Sequence, residues 1–293
     1  MKNYFLKVVS ALFFVFAAAG VVACGDDGDI DGDGGSSGSS KVPAPYLTDS
    51  NGNRIQVLSV INGDRTDASF TYDEKGNLAG LKYDEYNNTF SGSNFVLSYS
   101  DNTGNIETKI KTNSKGLITS IESKANYYRD KEILTETYTN TFRYNSNKQL
   151  TNASVIGKTR SGDKENINII MTWDNGNLST TEVEKKRIDG ETGEVENSIY
   201  VIYTYAYGEE INTFKQMPGF VWRHFNEGLG GILYAIGLFG VGPTNLPTGY
   251  TTNNSSFSYS LSYTLNADGS IKTESLKHLG FNTTYSTISY TYK

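Results

Sequence analysis

From about residue 45 onward, apolar and polar residues alternate along the chain with a period of two. Between residues 257 and 265, every second residue is Phe, Tyr or Leu, and the residues between them are Ser or Thr. A similar alternation recurs at Ile167–Trp173 and at Ile288–Tyr292. A period of two places alternate side chains on opposite faces of a β-strand, so these segments are predicted to be strands with one buried face.

Short polar turns separate these strands and repeat one phrase. A strand ends, a few Asp, Asn, Ser, Lys or Gly residues follow, and the chain restarts at Leu or Ile. The phrase occurs at Phe70–Leu78, Tyr99–Ile106, Lys111–Leu117, Tyr144–Leu150, Trp173–Leu178 and Leu265–Ile271, and more loosely at Asp189–Gly193. Because Gly and Asn tolerate a positive φ, each phrase predicts a hairpin. We therefore predict an all-β fold, an antiparallel meander of hairpins that curls into a barrel or half-barrel.

One segment, residues 211–250, interrupts the hairpin pattern. It contains three of the five prolines, and residues 228–250 carry no charge. Its apolar stretch Leu229–Val241 would span about 20 Å as a helix, which is shorter than the hydrocarbon core of a bilayer. We predict a short helix-and-loop insert that plugs or caps the sheet. The alternative is an exposed apolar lid or a docking patch for another protein.

The first residues have the features of an export signal. Lys2 and Lys7 are followed by the apolar run Val8–Val22, so residues 1–23 are predicted to be a signal peptide. The sequence Val-Val-Ala-Cys that ends at Cys24 resembles the lipobox of bacterial lipoproteins. That resemblance implies lipidation at Cys24 and a membrane anchor without a transmembrane helix, whereas the alternative is a chance Cys after an ordinary secretory signal.

Residues 24–44 are predicted to be a flexible, acidic Gly/Ser tether between the anchor and a single β-domain over residues 45–293. The tether carries Asp26, Asp27, Asp29, Asp31 and Asp33. This acidic run resembles the surface-export signal of Bacteroidetes-type lipoproteins, which implies an outer-membrane protein exposed at the cell surface. A periplasm-facing location is the alternative. A calcium loop is disfavoured, because the position that needs a bidentate Glu is Ser.

Two wider resemblances follow from the hairpin phrases. The phrase at Phe70–Leu78 resembles the YD repeats of bacterial surface proteins. The lipobox, the acidic tether and the repeated Gly-Asn-Leu turns together resemble an uncharacterised family of Bacteroidetes lipoproteins, a domain of unknown function with a porin-like fold. That resemblance implies a barrel-like sheet and no particular activity. Thr and charged residues on both faces of Glu107–Lys111 and Thr180–Lys186 favour a barrel that does not span the membrane.

Composition excludes several classes of function. The 293 residues include one Cys and two His, and the formal net charge is −6. A disulfide scaffold, a Cys/His zinc site and a basic nucleic-acid binder are therefore not expected. His224-x-x-Glu227 lacks the second His of a metalloprotease helix. We expect no enzymatic activity, no cofactor and no metal, although two carboxylates could still meet across strands as in glycosidases.

Binding has more suitable residues than catalysis. The chain contains 21 Tyr and two Trp, whose flat faces and polar tips suit sugar or protein surfaces. Trp222, in the insert, and Trp173 are the candidate binding residues. We predict a non-enzymatic binding protein of the cell envelope for a glycan or a protein partner. The alternatives are a structural or accessory subunit of an outer-membrane complex and a surface hydrolase.

Overall fold

The computed structural model describes residues 46–63, 65–83, 86–91, 94–98, 104–129, 132–222, 233–253, 258–279 and 283–293. The predicted signal peptide, Cys24 and the acidic tether lie outside the described residues and remain predictions. The described chain is almost entirely β-strand, as the alternation of apolar and polar residues predicts. No helix in the described ranges is long and apolar enough to span a membrane.

Eighteen strands are present in the described chain. They are β1 (Leu47–Thr48), β2 (Arg54–Ile55), β3 (Val57–Asn62), β4 (Arg65–Tyr72), β5 (Leu78–Tyr83), β6 (Tyr86–Ser91), β7 (Asn94–Ser98), β8 (Gly104–Thr112), β9 (Ile118–Arg129), β10 (Glu132–Tyr144), β11 (Leu150–Lys158), β12 (Lys164–Asp174), β13 (Asn177–Ile188), β14 (Val195–Ile211), β15 (Asn245–Thr252), β16 (Ser258–Leu265), β17 (Ile271–His278) and β18 (Thr283–Tyr292). Each turn phrase of the sequence that lies within the described residues connects two of these strands, as a hairpin requires.

Strands β3 to β18 form one antiparallel meander in which every strand pairs with its neighbours in sequence. The last strand returns to the first, because β18 pairs with β3 through residues such as Ile288 opposite Asn62. Sixteen strands thereby form a closed barrel, and β1 and β2 form a separate small hairpin. The predicted antiparallel meander is confirmed, and the barrel is the form that it takes.

The wall of the barrel is apolar inside and polar outside. Along β12, the residues alternate between buried Glu165, Ile167, Ile169 and Met171 and exposed Lys164, Asn168, Ile170 and Thr172. Along β10, the buried residues Tyr138 and Phe142 alternate with exposed Thr137, Thr139, Thr141 and Arg143. The inward side chains belong to one continuous hydrophobic core. Burial of this inner face is therefore the main source of stability.

The connection between β14 and β15 covers residues 212–244, and we call it the plug. Its described parts, residues 212–222 and 233–244, pack into one end of the barrel. It contains the short helix α1 (Gly219–Trp222) and a second helical turn at residues 233–235. Its buried apolar residues are Phe214, Met217, Phe220, Val221, Leu233, Tyr234, Ala235, Ile236, Leu238 and Phe239. The predicted helix-and-loop insert is confirmed, and the described part of it is buried rather than exposed.

The plug packs against the inner wall through aromatic rings and one buried carboxylate. The ring of Phe239 lies 4.6 Å from that of Phe142 on β10 and 5.8 Å from that of Tyr234. On β17, the fully buried Glu274 accepts hydrogen bonds from the backbone N–H of Gly219 and from the hydroxyl of Tyr290. These contacts hold the plug to opposite parts of the wall.

The predicted boundary of the insert is wrong at its end, because residues 245–250 belong to β15. The sequence suggested otherwise because it has a proline, Pro247, which cannot donate to a strand ladder. The structure places Pro247 opposite Tyr207 at a register shift, where the ladder is already interrupted. Proline is tolerated at such irregularities.

Candidate functional site

Seven tight turns in the described residues share one geometry. The first residue is Asp, Asn or Thr, its carbonyl accepts a hydrogen bond from the N–H three residues later, and that later residue has a positive φ. The turns are 49–53, 73–77, 113–117, 145–149, 159–163, 212–216 and 266–270. A type I turn followed by a left-handed residue is common in hairpins, and Gly is favoured at the left-handed position.

Two of these turns have a lysine where the other five have a glycine. Lys148 has a φ of 62° and Lys215 a φ of 47°. A side chain at a left-handed position costs roughly 1–2 kcal/mol relative to the ordinary conformations. Backbone strain of this kind concentrates at functional sites, where the residue is kept for its side chain. The two lysines are therefore candidates for a role in binding.

Both lysines line the same cleft. The cleft lies between the plug and the turns at the closed end of the barrel, and its volume is about 630 Å³. Lys115, from turn 113–117, also lines it. The cleft is within the usual size range of small-molecule sites, about 300–1,000 Å³. Three cations from three separate turns thus converge on one concave surface.

The base of the cleft is held in place by backbone hydrogen bonds within the plug and from the plug to two neighbouring turns. The N–H of Val241 donates to the carbonyl of Lys148 at 3.0 Å, and the N–H of Gly242 donates to the carbonyl of Lys215. Next to them, the N–H of Thr244 donates to the carbonyl of Gly176 at 3.1 Å. The backbones of the two strained lysines are therefore fixed, whereas their ammonium groups are not used in these bonds.

The hairpin of β1 and β2 forms a further wall of the cleft. Tyr46, Leu47 and Thr48 line it, and the guanidinium of Arg54 lies 5.3 Å from the centre of the Tyr46 ring. The hydroxyl of Tyr46 occupies the space above Gly76, where a side chain would collide with it. The chain that precedes Tyr46 therefore joins the domain at the edge of the cleft.

The cleft carries positive charge without a carboxylate in its described lining. The ion pairs among the described residues lie elsewhere and involve none of the three lysines that line the cleft. The field of such charges extends about 8 Å at physiological ionic strength.

The opposite end of the barrel, where β11 turns into β12 and β13 into β14, presents a different arrangement of charges. Asp163 accepts hydrogen bonds from the hydroxyl of Ser161 and from the guanidinium of Arg187. The same guanidinium pairs with Glu196 at 2.9 Å. The bond from Ser161, followed by that from Arg187, lowers the pKa of Asp163, and the bond to Asp163 raises the pKa of Arg187.

Two further carboxylates face inward near this network. Glu165 is buried on β12, and Glu136 on β10 accepts a hydrogen bond from the hydroxyl of Tyr127 at 3.1 Å. Tyr138 lies between them over Gly157, a position at which any side chain would collide with its ring. Burial is the main cause that raises the pKa of Tyr138, and the two carboxylates add to it. At this end, Arg187 pairs directly with two of the four carboxylates, Asp163 and Glu196.

The chain is similar in fold to porin-like proteins from Bacteroides. One from Bacteroides uniformis ATCC 8492 has a TM-score of 0.51 and 19% identity, over 87% of this chain and 99% of that one. One from Bacteroides vulgatus ATCC 8482 has a TM-score of 0.50 and 16% identity, over 81% of this chain and 98% of that one. No protein-family model and no curated protein matches. The porin-like fold implied by the sequence is thereby confirmed.

Within this porin-like fold, the residues predicted from the sequence are not brought together. Trp173 is half-buried at the end of β12, and its indole N–H donates to the carbonyl of Leu150 at 2.7 Å, which stabilises the wall. It does not line the cleft. Trp222 ends α1, and its side chain lies outside the described residues, as do His224 and Cys24. Their binding and anchoring roles remain predictions.

The sequence carries a signal for one of the three lysines, Lys148. Aligning the repeated turns by their left-handed position would have shown Lys148 in the place of a glycine. The turn that contains Lys215 was hidden, because it lies at the start of the irregular insert. Among the described residues, no group of three or more His, Cys, Asp or Glu side chains could hold a metal.

Proposed function

We propose that this chain is a lipid-anchored protein of the cell envelope that binds an anionic ligand, without catalysis, in the cleft at the closed end of its barrel. The ligand class that we propose is a glycan with carboxylate or sulfate groups. The observation that carries the proposal is the convergence of Lys115, Lys148 and Lys215 on one cleft of about 630 Å³.

The rigid base of the cleft supports binding. The carbonyls of Lys148 and Lys215 are held by the plug, so little backbone order has to be gained when a ligand arrives. Preorganisation of this kind reduces the entropy lost on binding. The exposed amide side chain of Asn147 also lines the cleft and provides a hydrogen-bond donor and an acceptor for sugar hydroxyls.

The polarity of the outer face of the wall supports a barrel that is surrounded by water and does not span a bilayer. A barrel in a lipid bilayer presents an apolar band outward and a polar interior. Here the outward residues of β10 are Thr and Arg apart from Ile133, and those of β12 include Lys, Asn and Thr, with the apolar exception of Ile170. A barrel of this kind needs another means of attachment, which the proposed lipid at Cys24 supplies. We place it at the outer membrane, exposed at the cell surface.

The charge network at the opposite end does not favour Asp163 as the general acid of a hydrolase. A general acid requires a carboxyl whose pKa is raised towards neutrality. Asp163 has its pKa shifted in the other direction, because hydrogen bonds from Ser161 and Arg187 stabilise its charged form. An accessory role through an exposed insert also has less support, since Leu233 and Phe239 of the plug are fully buried.

Calorimetric titration of the full-length chain in mild detergent tests the proposal. Uronate-rich, sulfated and neutral polysaccharides would be compared, with the double variant Lys148→Gln/Lys215→Gln and with Trp222→Ala. We expect saturable binding of one anionic class, weakened about tenfold in the double variant, because two charge contacts of up to about 1 kcal/mol each are lost.

The matched control is Lys75→Gln. Lys75 occupies the same position in turn 73–77 as Lys115 does in turn 113–117, but it does not line the cleft. Its loss should leave the affinity unchanged. Failure of every anionic glycan to bind, or equal binding by the double variant, would overturn the proposal. Loss of binding in Trp222→Ala alone would instead place the site on the insert, as the sequence suggested.

A further inference from the structure

The three lysines of the cleft raise the question of which group balances their charge. No described carboxylate lines the cleft, and no ion pair of the described residues reaches these lysines. A cluster of like charges in a concave surface is unfavourable unless an anion occupies it. An anion that can reach the cleft is present in the chain itself.

The chain enters the domain at this cleft. Tyr46, Leu47 and Thr48 line it, and the carbonyl of Tyr46 approaches Gly237 of the plug. The residues that precede Tyr46 must therefore leave the domain at the edge of the cleft. The closed end, the three lysines and Tyr46, which the N-terminal segment precedes, lie on one side of the barrel.

The segment that leaves here is strongly acidic. Residues 26–33 contain five aspartates, and Lys41 is the only basic residue between Cys24 and Tyr46. The twelve residues that separate Asp33 from Tyr46 span up to about 45 Å when extended, more than enough to fold back into a cleft at their own end. A short flexible linker holds such a group at a millimolar effective concentration.

We propose that the acidic run of the chain itself, Asp26–Asp33, occupies the lysine-lined cleft. The aspartates bind to Lys115, Lys148 and Lys215 as an intramolecular polyanion. The complementary charges and the short distance along the chain supply the affinity, since each single exposed pair is weak. An external anion then has to displace the run, a consequence that rests on the proposed function.

The first test measures how reactive the lysines are, and it uses no glycan. The full-length chain and a variant with all five aspartates changed to Asn would be acetylated briefly, and each lysine would be quantified by mass spectrometry. We expect Lys115, Lys148 and Lys215 to react about threefold faster in the variant, which is the protection that one exposed ion pair gives. Lys75 is the control and should react equally in both proteins.

Salt provides an independent comparison. At 1 M ionic strength, charges are screened beyond about 3 Å, so the difference between the two proteins should disappear. Equal reactivity of the three lysines in both proteins at low salt would overturn the proposal, whatever the glycan titrations show. Conversely, failure of every glycan to bind leaves this test unaffected, because it needs no external ligand.

A second test identifies the partner of the lysines. A carbodiimide joins a carboxylate and an amine that are already in contact, and peptide mapping then locates the bond. We expect cross-links from the Asp26–Asp33 run to the three cleft lysines and none to Lys75. A mixture of ¹⁵N-labelled and unlabelled protein should give links within single chains. Links formed only between chains would overturn the proposal and make a second copy the occupant.

Discussion

The two ends of the barrel both carry charged side chains, but they use them differently. At the end opposite the cleft, which we call the open end, the guanidinium of Arg187 donates a hydrogen bond to Asp163. The same guanidinium forms an ion pair with Glu196. At the closed end, Lys115, Lys148 and Lys215 line a cleft without a described acidic partner. The first set forms ion pairs within the fold, whereas the second has no such pair in the described lining and is available to a ligand.

The difference indicates what each end contributes. Charges that neutralise one another add to the stability of the fold, and their pKa values shift accordingly. Charges that the backbone holds in a strained conformation, with no partner in the described lining, lower stability and are kept for another reason. Variants at each end can therefore test whether its charges stabilise the fold or serve binding.

The plug should provide most of the stability at the closed end. Phe239 is fully buried and packs against Phe142 and Tyr234. Phe239→Ala should lower the free energy of unfolding by about 3–5 kcal/mol, because it removes a large core side chain and leaves a cavity. Urea denaturation would measure the loss.

The control for this prediction is Ile156→Ala. Ile156 is also a large apolar residue, but it lies on the outer face of β11 and is 63% exposed. Its replacement should change stability by no more than about 0.5 kcal/mol. If the two variants lost equal stability, apolar packing of the plug would not be what holds this end together.

The ion pairs should stabilise the open end. Arg187→Leu removes the guanidinium that pairs with Asp163 and one positive charge near the buried Glu165. We expect the free energy of unfolding to fall by about 1–2 kcal/mol at neutral pH. This lies in the lower part of the range for charged hydrogen bonds, because the Arg187 side chain is 41% exposed. Lys111→Leu, which breaks an exposed pair with Glu122 on the outer face, should have no measurable effect.

The stability difference between the wild type and Arg187→Leu should depend on pH in a defined direction. The folded pKa of Asp163 is lowered from 3.8 by hydrogen bonds from Ser161 and Arg187. Its contribution to stability is therefore complete above pH 3.8 and is lost as the pH falls through the lower, folded pKa. The gap between the wild type and Arg187→Leu should narrow below pH 3.8. A gap that stayed constant would mean that Asp163 is not the partner that matters.

How far the sequence predicts this molecule follows from how local each feature is. The strands and turns were predictable, because a period of two and a repeated turn phrase are properties of neighbouring residues. Closure of the barrel was not, since Ile288 and Asn62 are far apart in the chain and carry no local mark of their pairing. The cleft was missed for the same reason, because its three lysines come from three distant turns.

The smallest expected change in stability concerns the two left-handed lysines of the closed end. Lys148→Gly and Lys215→Gly restore the residue that the other five turns have at the left-handed position. Each should raise the free energy of unfolding by about 0.5–1 kcal/mol, since the strain that is relieved exceeds the added flexibility of the unfolded chain. The same variants should bind the anionic ligand more weakly in calorimetric titrations.

The reverse change supplies the control, because Gly52 adopts a φ of 85° in an equivalent turn and has open space around it. Gly52→Lys should therefore destabilise the protein through the backbone alone, by about 1 kcal/mol. If Lys148→Gly proved destabilising while Gly52→Lys was harmless, the left-handed lysines would be part of the structural framework. If a gain in stability accompanies a loss of binding, the strain at Lys148 and Lys215 is maintained for the ligand.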